Sequence, residues 1–461
     1  MLSRHVLLCL LVLCLGVTGN AGKAQDRDLQ AVQTQAEAAL AAGDPAAAAA
    51  GATELITARP DGFAGWFILA LARSDERRHE DAATAAARAY DLAPDRLARF
   101  QTARLAARAH LSLNQFFRAE FWLRRAANHA DDEADLAGLL REYALATAAN
   151  PLTIDLTAAI IPSNNINGGS DDGILRFEGI DLTFYLPEYR RALSGIGYEA
   201  SVDLSYRLLQ SDRQRTTVTA HFFGQTYSLS PDARETLDSS PNPDVQALRG
   251  RDFGSRVAEI GLQHQRRDLS PLGPVNFGLE LGTYWEGTER LVTYRDYTLE
   301  QATIAGPDAT FNLTARLRDQ QALVPGLIDT KTYDLIGAIN VKRPSGNRLQ
   351  FSLAGREHIA GPETSYEEYR LGVGYGFDEP FLGMRLSSSA TIGYRSYEEF
   401  VTTLDGRRDR FAAVSTTAVF DDIRYFGFSP SATIRFDRTF SSAEEYTSTG
   451  VSFRVGIESR F

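Results

Sequence analysis

The segment "VNFGLELGTYW", Val275 to Trp285, alternates apolar side chains with polar or small ones along most of its length. Its odd-numbered apolar residues are Val275, Phe277, Leu279, Leu281 and Trp285. The residues between them include Asn276, Gly278, Glu280 and Gly282. A period of two residues predicts a β-strand with one apolar face and one polar face.

The same period recurs through the rest of the second half of the chain. "RLQFSLAGR", residues 348–356, and "GVSFRVGIESRF", residues 450–461, also alternate apolar with polar or charged side chains. Such runs reach about a dozen residues, whereas strands of globular proteins usually have about 5 or 6. Charged residues such as Arg454 lie along the polar faces. The pattern predicts a transmembrane antiparallel β-barrel over residues 175–461, with apolar side chains toward lipid and polar ones toward a wet lumen.

Residues 25–150 are alanine-rich and lack this alternation. Of the 18 tyrosines, 16 follow Pro151, and so do 29 of the 37 glycines. The first half instead repeats small residues at the spacing of a 34-residue helix-turn-helix unit, counted with Trp66 as position 4. Positions 7, 8, 20, 24 and 27 are then Leu69, Ala70, Ala82, Ala86 and Ala89. A further copy places small or apolar residues at Ala107, Ala119, Leu123 and Ala126.

These residues resemble the tetratricopeptide repeat. One helical pair cannot bury its own apolar face, so about three pairs must stack. Three units and a closing helix, roughly Asp132 to Ala149, meet that minimum. The sequence therefore predicts a multi-domain protein in which an all-α tetratricopeptide-like solenoid over residues 25–150 precedes the barrel.

The concave face of such a solenoid often binds peptides. In the register above, Phe67, Leu71 and Ser74 are the candidate residues for a client groove. The alternative, which we favour, is that these residues pack against the next repeat.

The barrel is predicted to have about fourteen strands, the even number expected of a bacterial single-chain barrel. They lie near residues 175–186, 195–209, 215–228, 251–266, 274–287, 289–301, 309–320, 330–342, 347–358, 365–378, 383–397, 410–422, 426–440 and 445–461. Both ends of the barrel segment then face the periplasm, and the long connections 229–250 and 398–409 lie on the extracellular side.

The segment "LTIDLTAAIIP", Leu152–Pro162, is a further candidate for a barrel strand. We expect it not to span, because a fifteenth strand would place the helical domain outside the cell or break this asymmetry. The alternative is that one of the fourteen strands above is wrongly divided.

Residues 1–24 have the layout of a secretory signal peptide. A basic start with Arg4 precedes an apolar run from Val6 to Val17, and small residues follow up to Ala24. A lipoprotein signal ending at Cys14 fits less well, because Leu13 before it is not small.

Removal of this segment would leave an acidic chain without cysteine. Both cysteines, Cys9 and Cys14, lie within it, which excludes disulfides and thiol chemistry in the mature protein. Loss of Arg4 and Lys23 removes two positive charges, so the formal net charge changes from -11 to -13. An acidic exported protein is a poor candidate for binding nucleic acid.

The stretch "IIPSNNINGGSDDG", residues 160–173, stands where the helical period ends and the strand period begins. Amide side chains can bond backbone groups where no strand ladder is available, and glycines permit a tight path. We therefore predict that residues 151–174 form the joint between the two domains, on the periplasmic side or in the barrel mouth. Its motif residues are Asn165, Ile166 and Asn167.

The sequence offers no recognisable catalytic or metal-binding pattern. The seven histidines lack metal-ligand spacing, and no known motif surrounds a serine, so a lipase-like barrel is only an alternative. Ser170, Asp171 and Asp172 are adjacent, whereas a calcium loop of the EF-hand type alternates its ligands. We expect a protein that is not an enzyme and that has no cofactor.

Together, a signal peptide, tetratricopeptide-like repeats and a barrel of about fourteen strands resemble the Slam family, the surface lipoprotein assembly modulators. "PSNNINGG", with Asn165-Ile166-Asn167, is similar to the Asn-Ile-Asn motif of that family. "GFSPSATIRFDRTFSSAEEY" followed by "ESRF" is similar to the family's closing hairpin. Near the motif, the chain has Thr153, Ile154 and Asp155 where the family usually has an aromatic residue.

The resemblance implies an outer-membrane protein that helps lipoproteins reach the cell surface, with the helical domain in the periplasm. Its expected partners are a lipoprotein client, outer-membrane lipid and the barrel-assembly machinery. Barrels of this kind end in an apolar face with a terminal phenylalanine, here Phe453, Val455, Ile457 and Phe461.

Two other functions fit the same architecture. An exopolysaccharide exporter would have more repeats and a lumen dominated by one sign of charge, whereas the inward positions mix Arg348, Arg454 and Arg460 with Glu280 and Glu458. A general porin with a periplasmic repeat domain is the third hypothesis.

Overall fold

A computed structural model describes residues 22–420, 423 and 428–459. The helical domain ends at Asn150 and the barrel domain begins at Pro151. The predicted signal peptide lies, apart from residues 22–24, outside the described residues.

The first domain consists of seven helices among the described residues. They are α1 (Gly22–Ala42), α2 (Pro45–Ala58), α3 (Phe63–Asp75), α4 (His79–Leu92), α5 (Arg96–Ser112), α6 (Phe116–Ala127) and α7 (Glu133–Ala149). Three of them begin behind an aspartate, Asp44, Asp95 or Asp132, whose side chain accepts a hydrogen bond from the backbone N–H three residues later. Such N-caps satisfy an amide that would otherwise lack a partner. The described helices are not long and apolar enough to span a membrane.

Small residues allow these helices to pack closely, as the repeat spacing predicts. Eight of the repeat positions singled out in the sequence have side chains with no exposed area: Ala70, Ala82, Ala86, Ala89, Ala107, Ala119, Leu123 and Ala126. Aromatic residues fill the larger gaps, and Trp122 packs edge-on against Tyr90 with ring centroids 5.4 Å apart. The prediction of three helical pairs followed by a closing helix is confirmed, since the contacting pairs α1–α2, α3–α4 and α5–α6 precede α7.

The second domain is a closed barrel of fourteen antiparallel strands. These are β1 (Leu152–Ser163), β4 (Gly195–Gln210), β5 (Gln214–Leu229), β6 (Ser255–Arg266), β7 (Val275–Glu286), β8 (Glu289–Gly306), β9 (Ala309–Ala322), β10 (Thr330–Lys342), β11 (Arg348–Ile359), β12 (Tyr366–Gly376), β13 (Met384–Tyr397), β14 (Arg407–Phe420), β15 (Phe428–Ser441) and β16 (Ser448–Ser459). Two short strands, β2 (Ile174–Arg176) and β3 (Thr183–Tyr185), form a separate hairpin. The predicted strand number and the fold class are confirmed.

The identity of the first barrel strand differs from the prediction. Residues 152–163 are β1, which closes the barrel between β16 and β4, so this segment is not part of a linker. Its apolar residues Leu156 and Ile160 point outward and are about half exposed. Residues 175–186 do not span, because the chain turns at Gly179, whose φ of 79° is incompatible with an extended strand. One strand therefore replaces the other, and the even number is kept.

The outer wall of the barrel is apolar and the inner wall is polar. Ile260, Leu281 and Leu353 have 56%, 48% and 59% of their surface exposed on the outward face. Exposed apolar side chains in alternate positions around a closed barrel require a lipid environment, because water would penalise so large an apolar surface. This architecture is that of an outer-membrane protein.

The two ends of the barrel differ in the length of their connections. We call the end with short connections, such as 211–213 and 307–308, the turn end. The other end, which we call the loop end, has the connections 164–194, 230–254 and 398–406. The long connections thus share one end, as the sequence predicts; that this end faces the cell exterior stays a prediction.

Candidate functional site

Charged side chains of the lumen form a row across six neighbouring strands. Direct register partners from β9 to β14 are Arg316, Asp334, Arg356, Glu368, Arg395 and Asp409. Their charges alternate strictly: Asp334 and Glu368 each face an arginine on both sides, and Asp409 ends the row beside Arg395. Opposite charges at directly paired positions stabilise a sheet, whereas like charges destabilise it. The row therefore both lines the lumen and favours this strand register.

Most of these carboxylates are buried and hydrogen-bonded by guanidinium groups. Arg356 donates from Nε to Asp334 over 2.6 Å, and Arg395 donates to Glu368 over 2.8 Å from Nε and 2.5 Å from Nη2. The Arg395 guanidinium lies 4.7 Å from the centre of the Tyr366 ring. Charge-assisted bonds of this kind are stronger than neutral ones, and the aromatic ring adds a cation–π contact.

The wall on β1 and β4–β8 is more acidic. Asp155, Asp203, Glu259 and Glu280 line a cavity of about 360 Å³. Asp203 is bonded to Nδ1 of His221 over 2.6 Å, and Glu259 accepts a hydrogen bond from Tyr294 over 2.6 Å. These are the inward positions of their strands, which agrees with the alternation read from the sequence.

Glu259, Glu280 and Asp296 have carboxylate oxygens within 4.8 Å of one another, a geometry compatible with a metal ion. Asp296, however, already accepts hydrogen bonds on both oxygens, from Nε and Nη2 of Arg318 at 2.8 and 2.6 Å and also from Arg316. The arginines supply the positive charge that a cation would otherwise bring. The arrangement is explained as an ion-pair network of the lumen wall.

The Asn-Ile-Asn motif lies at the loop end, directly after β1. Because β1 runs from Leu152 to Ser163, the length of a whole strand separates the motif from the start of the barrel domain. The prediction that Asn165, Ile166 and Asn167 lie at the joint between the two domains is therefore wrong. The physical reason is that β1 itself follows Pro151, so the first barrel strand begins at Leu152 and not near residue 175 as we expected.

The two asparagines bond the backbone, which is the chemistry expected of them. Asn165 Nδ2 donates to the Gly169 carbonyl over 2.9 Å, and its Oδ1 accepts from the Gly169 amide over 2.8 Å. Asn167 Nδ2 donates to the carbonyls of Tyr189 and Arg191 over 2.8 and 2.7 Å, and its Oδ1 accepts from the Leu193 amide over 2.9 Å. The motif thus ties the two ends of the 164–194 loop together.

Ile166 anchors a small apolar core between two loops. It is 8% exposed and belongs to a cluster with Leu193 and the residues Ala233, Leu237 and Val245 of the 230–254 loop. Those three lie in the short helices α8 (Pro231–Asp238) and α9 (Pro243–Ala247). Glu188 of the first loop accepts a hydrogen bond from Ser240 of the second, which holds the pKa of that carboxyl below its usual range. The 164–194 and 230–254 loops are therefore folded against each other at the loop end.

The candidate groove residues of the helical domain are not equally accessible. Phe67 is 4% exposed and stacks on Phe63 with ring centroids 5.3 Å apart, so it belongs to the core of the repeats. Leu71 and Ser74 are half-buried. Phe67 therefore packs within the repeats, as the alternative that we favoured states, whereas Leu71 and Ser74 keep part of their surface exposed.

The C-terminal apolar residues lie on the outer wall. Phe453, Val455 and Ile457 of β16 are 46%, 46% and 44% exposed and point outward. Phe461 lies outside the described residues, as do the side chains of Glu458 and Arg460. Sequence reasoning missed the alternating row, although five of its six residues lie within predicted strands and Asp409 directly precedes one; only the strand register places them side by side.

Comparison with known proteins gives little beyond architecture. No protein-family model and no curated protein matches the chain. The TPR2B domain of yeast Sti1, solved in an Hsp70 complex, is 15% identical over 26% of this chain and 96% of its own, with a TM-score of 0.24. A bacterial polysaccharide outer-membrane secretin is 10% identical over 66% and 98%, with a TM-score of 0.35. An anion-selective porin from Comamonas acidovorans is 11% identical over 67% and 100%, with a TM-score of 0.31.

Proposed function

We propose that this protein is an outer-membrane translocation factor that helps lipoproteins reach the cell surface. In this proposal the helical repeats receive the client in the periplasm and the barrel provides its path. The observation that carries it is the continuity of the chain: α7 ends at Ala149 and β1 begins at Leu152, with only Asn150 and Pro151 between them.

A connection of two residues limits how far a client bound by the repeats can be from the start of the barrel. A short tether makes the second binding event intramolecular and raises its effective concentration, to about millimolar levels for short flexible linkers. A porin needs no such receiving domain. The resemblance of Asn165, Ile166 and Asn167 to the motif of the surface lipoprotein assembly modulators supports the same reading.

The lumen wall on β9 to β14 also suits a polypeptide better than a polymer of one charge. A polypeptide carries both signs of charge together with donors and acceptors of hydrogen bonds. The row from Arg316 to Asp409 offers both signs in alternation, and its charges largely neutralise one another. A wall of this kind neither attracts nor repels a chain strongly, which favours passage over retention.

Deletion of the protein tests this proposal when surface lipoproteins are assayed by protease shaving of intact cells. We expect at least one lipoprotein to lose its surface exposure and to regain it on complementation. Unchanged exposure of every lipoprotein would overturn the proposal. Secreted polymer, measured in the same strain, identifies an exporter, and single-channel conductance of the purified protein identifies a general porin.

The tether itself gives a sharper variant. Insertion of about ten glycine and serine residues between Asn150 and Pro151 should lower client exposure while the barrel still assembles, because the effective concentration falls as the tether grows. The same insertion between Glu363 and Thr364, in an exposed loop, is the matched control. Equal export by both insertions would show that the tether is irrelevant.

A further inference from the structure

The seam between the first and last strands differs from the other strand pairs. β1 pairs with β4 along its whole length, from Leu152–Tyr206 to Ser163–Gly195. With β16, the described residues pair only as Ala158–Ile457, Ala159–Gly456, Ile160–Val455 and Ser163–Ser452. Among the described residues, the backbone ladder that closes the barrel is therefore interrupted between Ile160 and Ser163.

The residues at the seam explain the interruption. In this register Pro162 stands opposite Phe453, and proline has no N–H to donate to a ladder. On the inner face Gly456 has no side chain that could pack against β1. A weaker ladder with little side-chain packing costs less to separate than the neighbouring strand pairs.

Polar contacts hold the loop end of the seam. Asn164 and Val451 exchange two hydrogen bonds, Val451 N to Asn164 Oδ1 over 2.6 Å and Asn164 N to Val451 O over 3.2 Å. Asp171 accepts from the amide and the hydroxyl of Thr449 over 2.8 and 2.7 Å. We call Asn164 and Asp171 the clasp, since they lie after β1 and bond the first residues of β16.

A second polar contact crosses the seam inside the lumen. Arg454 of β16 donates to Glu199 of β4 over 2.6 Å. Glu199 is the register partner of Ala159 in β1, and Ala159 is that of Gly456 in β16. The ion pair therefore spans β1 and connects its two neighbours. The hydrogen bonds of the clasp and this ion pair can break reversibly, because water can replace each of them.

We propose that the β1–β16 seam is the exit through which the acyl chains of a lipidated client pass between the lumen and the bilayer. The clasp and the Arg454–Glu199 pair keep it shut at rest. This inference rests on the proposed function. Acyl chains are strongly disfavoured in a wet lumen, whereas the polypeptide of the client is disfavoured in lipid. An opening between β1 and β16 would let the acyl chains stay in lipid while the polypeptide of the client stays in the aqueous lumen.

A disulfide across the seam tests the exit. A Cβ added to Gly456 would lie 3.5 Å from the Cβ of Ala159, within the range of disulfides. The variant Ala159→Cys/Gly456→Cys should assemble. In cells that carry it, the surface exposure of every lipoprotein that depends on the protein should fall at least tenfold. A reductant should restore that exposure. The matched control is Gln350→Cys/Gly374→Cys, also 3.5 Å apart, which staples the fully paired strands β11 and β12. It should export normally.

The test requires a host in which deletion of the protein abolishes lipoprotein exposure. If the disulfide variant exports as well as the wild type there, the inference is overturned and the proposed function is not affected. If deletion of the protein leaves the surface exposure of every lipoprotein unchanged, the proposed function itself is overturned.

A second variant covers the case in which the cysteine pair does not assemble. Asn164→Ala/Asp171→Ala should lower the temperature at which the folded barrel converts to the unfolded form on SDS gels, by several degrees. Asp172→Ala, an exposed neighbour, should not. An unchanged temperature in the clasp variant would contradict the role of the clasp.

Discussion

Asp296 of β8 and Arg318 of β9 form a two-pronged ion pair on the inner wall, with Nε–Oδ1 and Nη2–Oδ2 distances of 2.8 and 2.6 Å. The Asp296 side chain has no exposed area, whereas that of Arg318 is 31% exposed to the lumen. The carboxylate is thus the buried centre of the network, and its arginines connect it to the lumen.

Removal of this charge should destabilise the barrel. Asp296→Asn leaves Arg316 and Arg318 without their shared anion, and we expect a loss of about 1–3 kcal/mol in unfolding free energy. The loss can be measured by urea titration of the purified protein in detergent. Asp319→Asn is the control, because Asp319 lies on the outward face of β9 with only a 4.0 Å contact to Arg295. Equal stability of the two variants would contradict a structural role for the network.

The faces of the strands were predictable because alternation is a local property of the chain. Leu279 and Glu280 fall on opposite walls whichever strands flank them. The choice between residues 152–163 and 175–186 was not local, since both segments carry apolar residues suited to a strand. It depends on pairing with β4 and with β16, and β16 lies at the other end of the barrel domain in sequence.

In the candidate site too, some features follow from the local sequence and others depend on distant strand pairing. The chemistry of Asn165 and Asn167 followed from their side chains, which bond backbone groups wherever a ladder is absent. Their position did not, because it depends on which segment is the first strand. The row from Arg316 to Asp409 needs the register of six strands, and that register depends on turn lengths between strands whose ends cannot be read to one residue.

The lipid-facing wall predicts a sharp difference between neighbouring residues of β13. Ile392 is 58% exposed on the outward face, whereas Thr391 points into the lumen. Arginine on the lipid face near the bilayer midplane costs about 2–4 kcal/mol. We therefore expect Ile392→Arg to reduce the amount of assembled barrel in outer-membrane fractions, and Thr391→Arg to assemble normally. Similar loss in both would argue against the assignment of the walls.

Close packing of the repeats predicts a similar contrast within α2. Ala48 has no exposed area, and Ala50 on the same helix is exposed. Ala48→Leu inserts three extra carbons into a filled core, which should cost about 1–3 kcal/mol. Circular dichroism at 222 nm during heating of the full-length protein would report this loss. Ala50→Leu should leave the helical transition within a degree or two of the wild type.

The helical domain should lose stability in acid through Glu142. Burial acts to raise the pKa of this carboxyl, but hydrogen bonds from Arg104 and Arg108 outweigh burial and hold its pKa below the usual range. The Arg104 Nε–Oε2 and Arg108 Nη2–Oε1 distances are 3.2 and 2.9 Å. A carboxyl with a lowered pKa in the folded state stabilises that state above the unfolded pKa of about 4.3. Its contribution disappears as the pH falls through the lower, folded-state pKa.

Glu142→Gln isolates this contribution. At pH 7 we expect the variant to unfold at a lower temperature than the wild type, because the amide cannot replace the charge-assisted bonds from Arg104 and Arg108. Between about pH 5 and pH 3 the wild type should lose this advantage, so the two melting curves converge. Glu80→Gln, at an exposed position of α4, is the control and should follow the wild type throughout. A constant difference between wild type and Glu142→Gln from pH 7 to pH 3 would mean that Glu142 stabilises the repeats by packing alone and not by its charge.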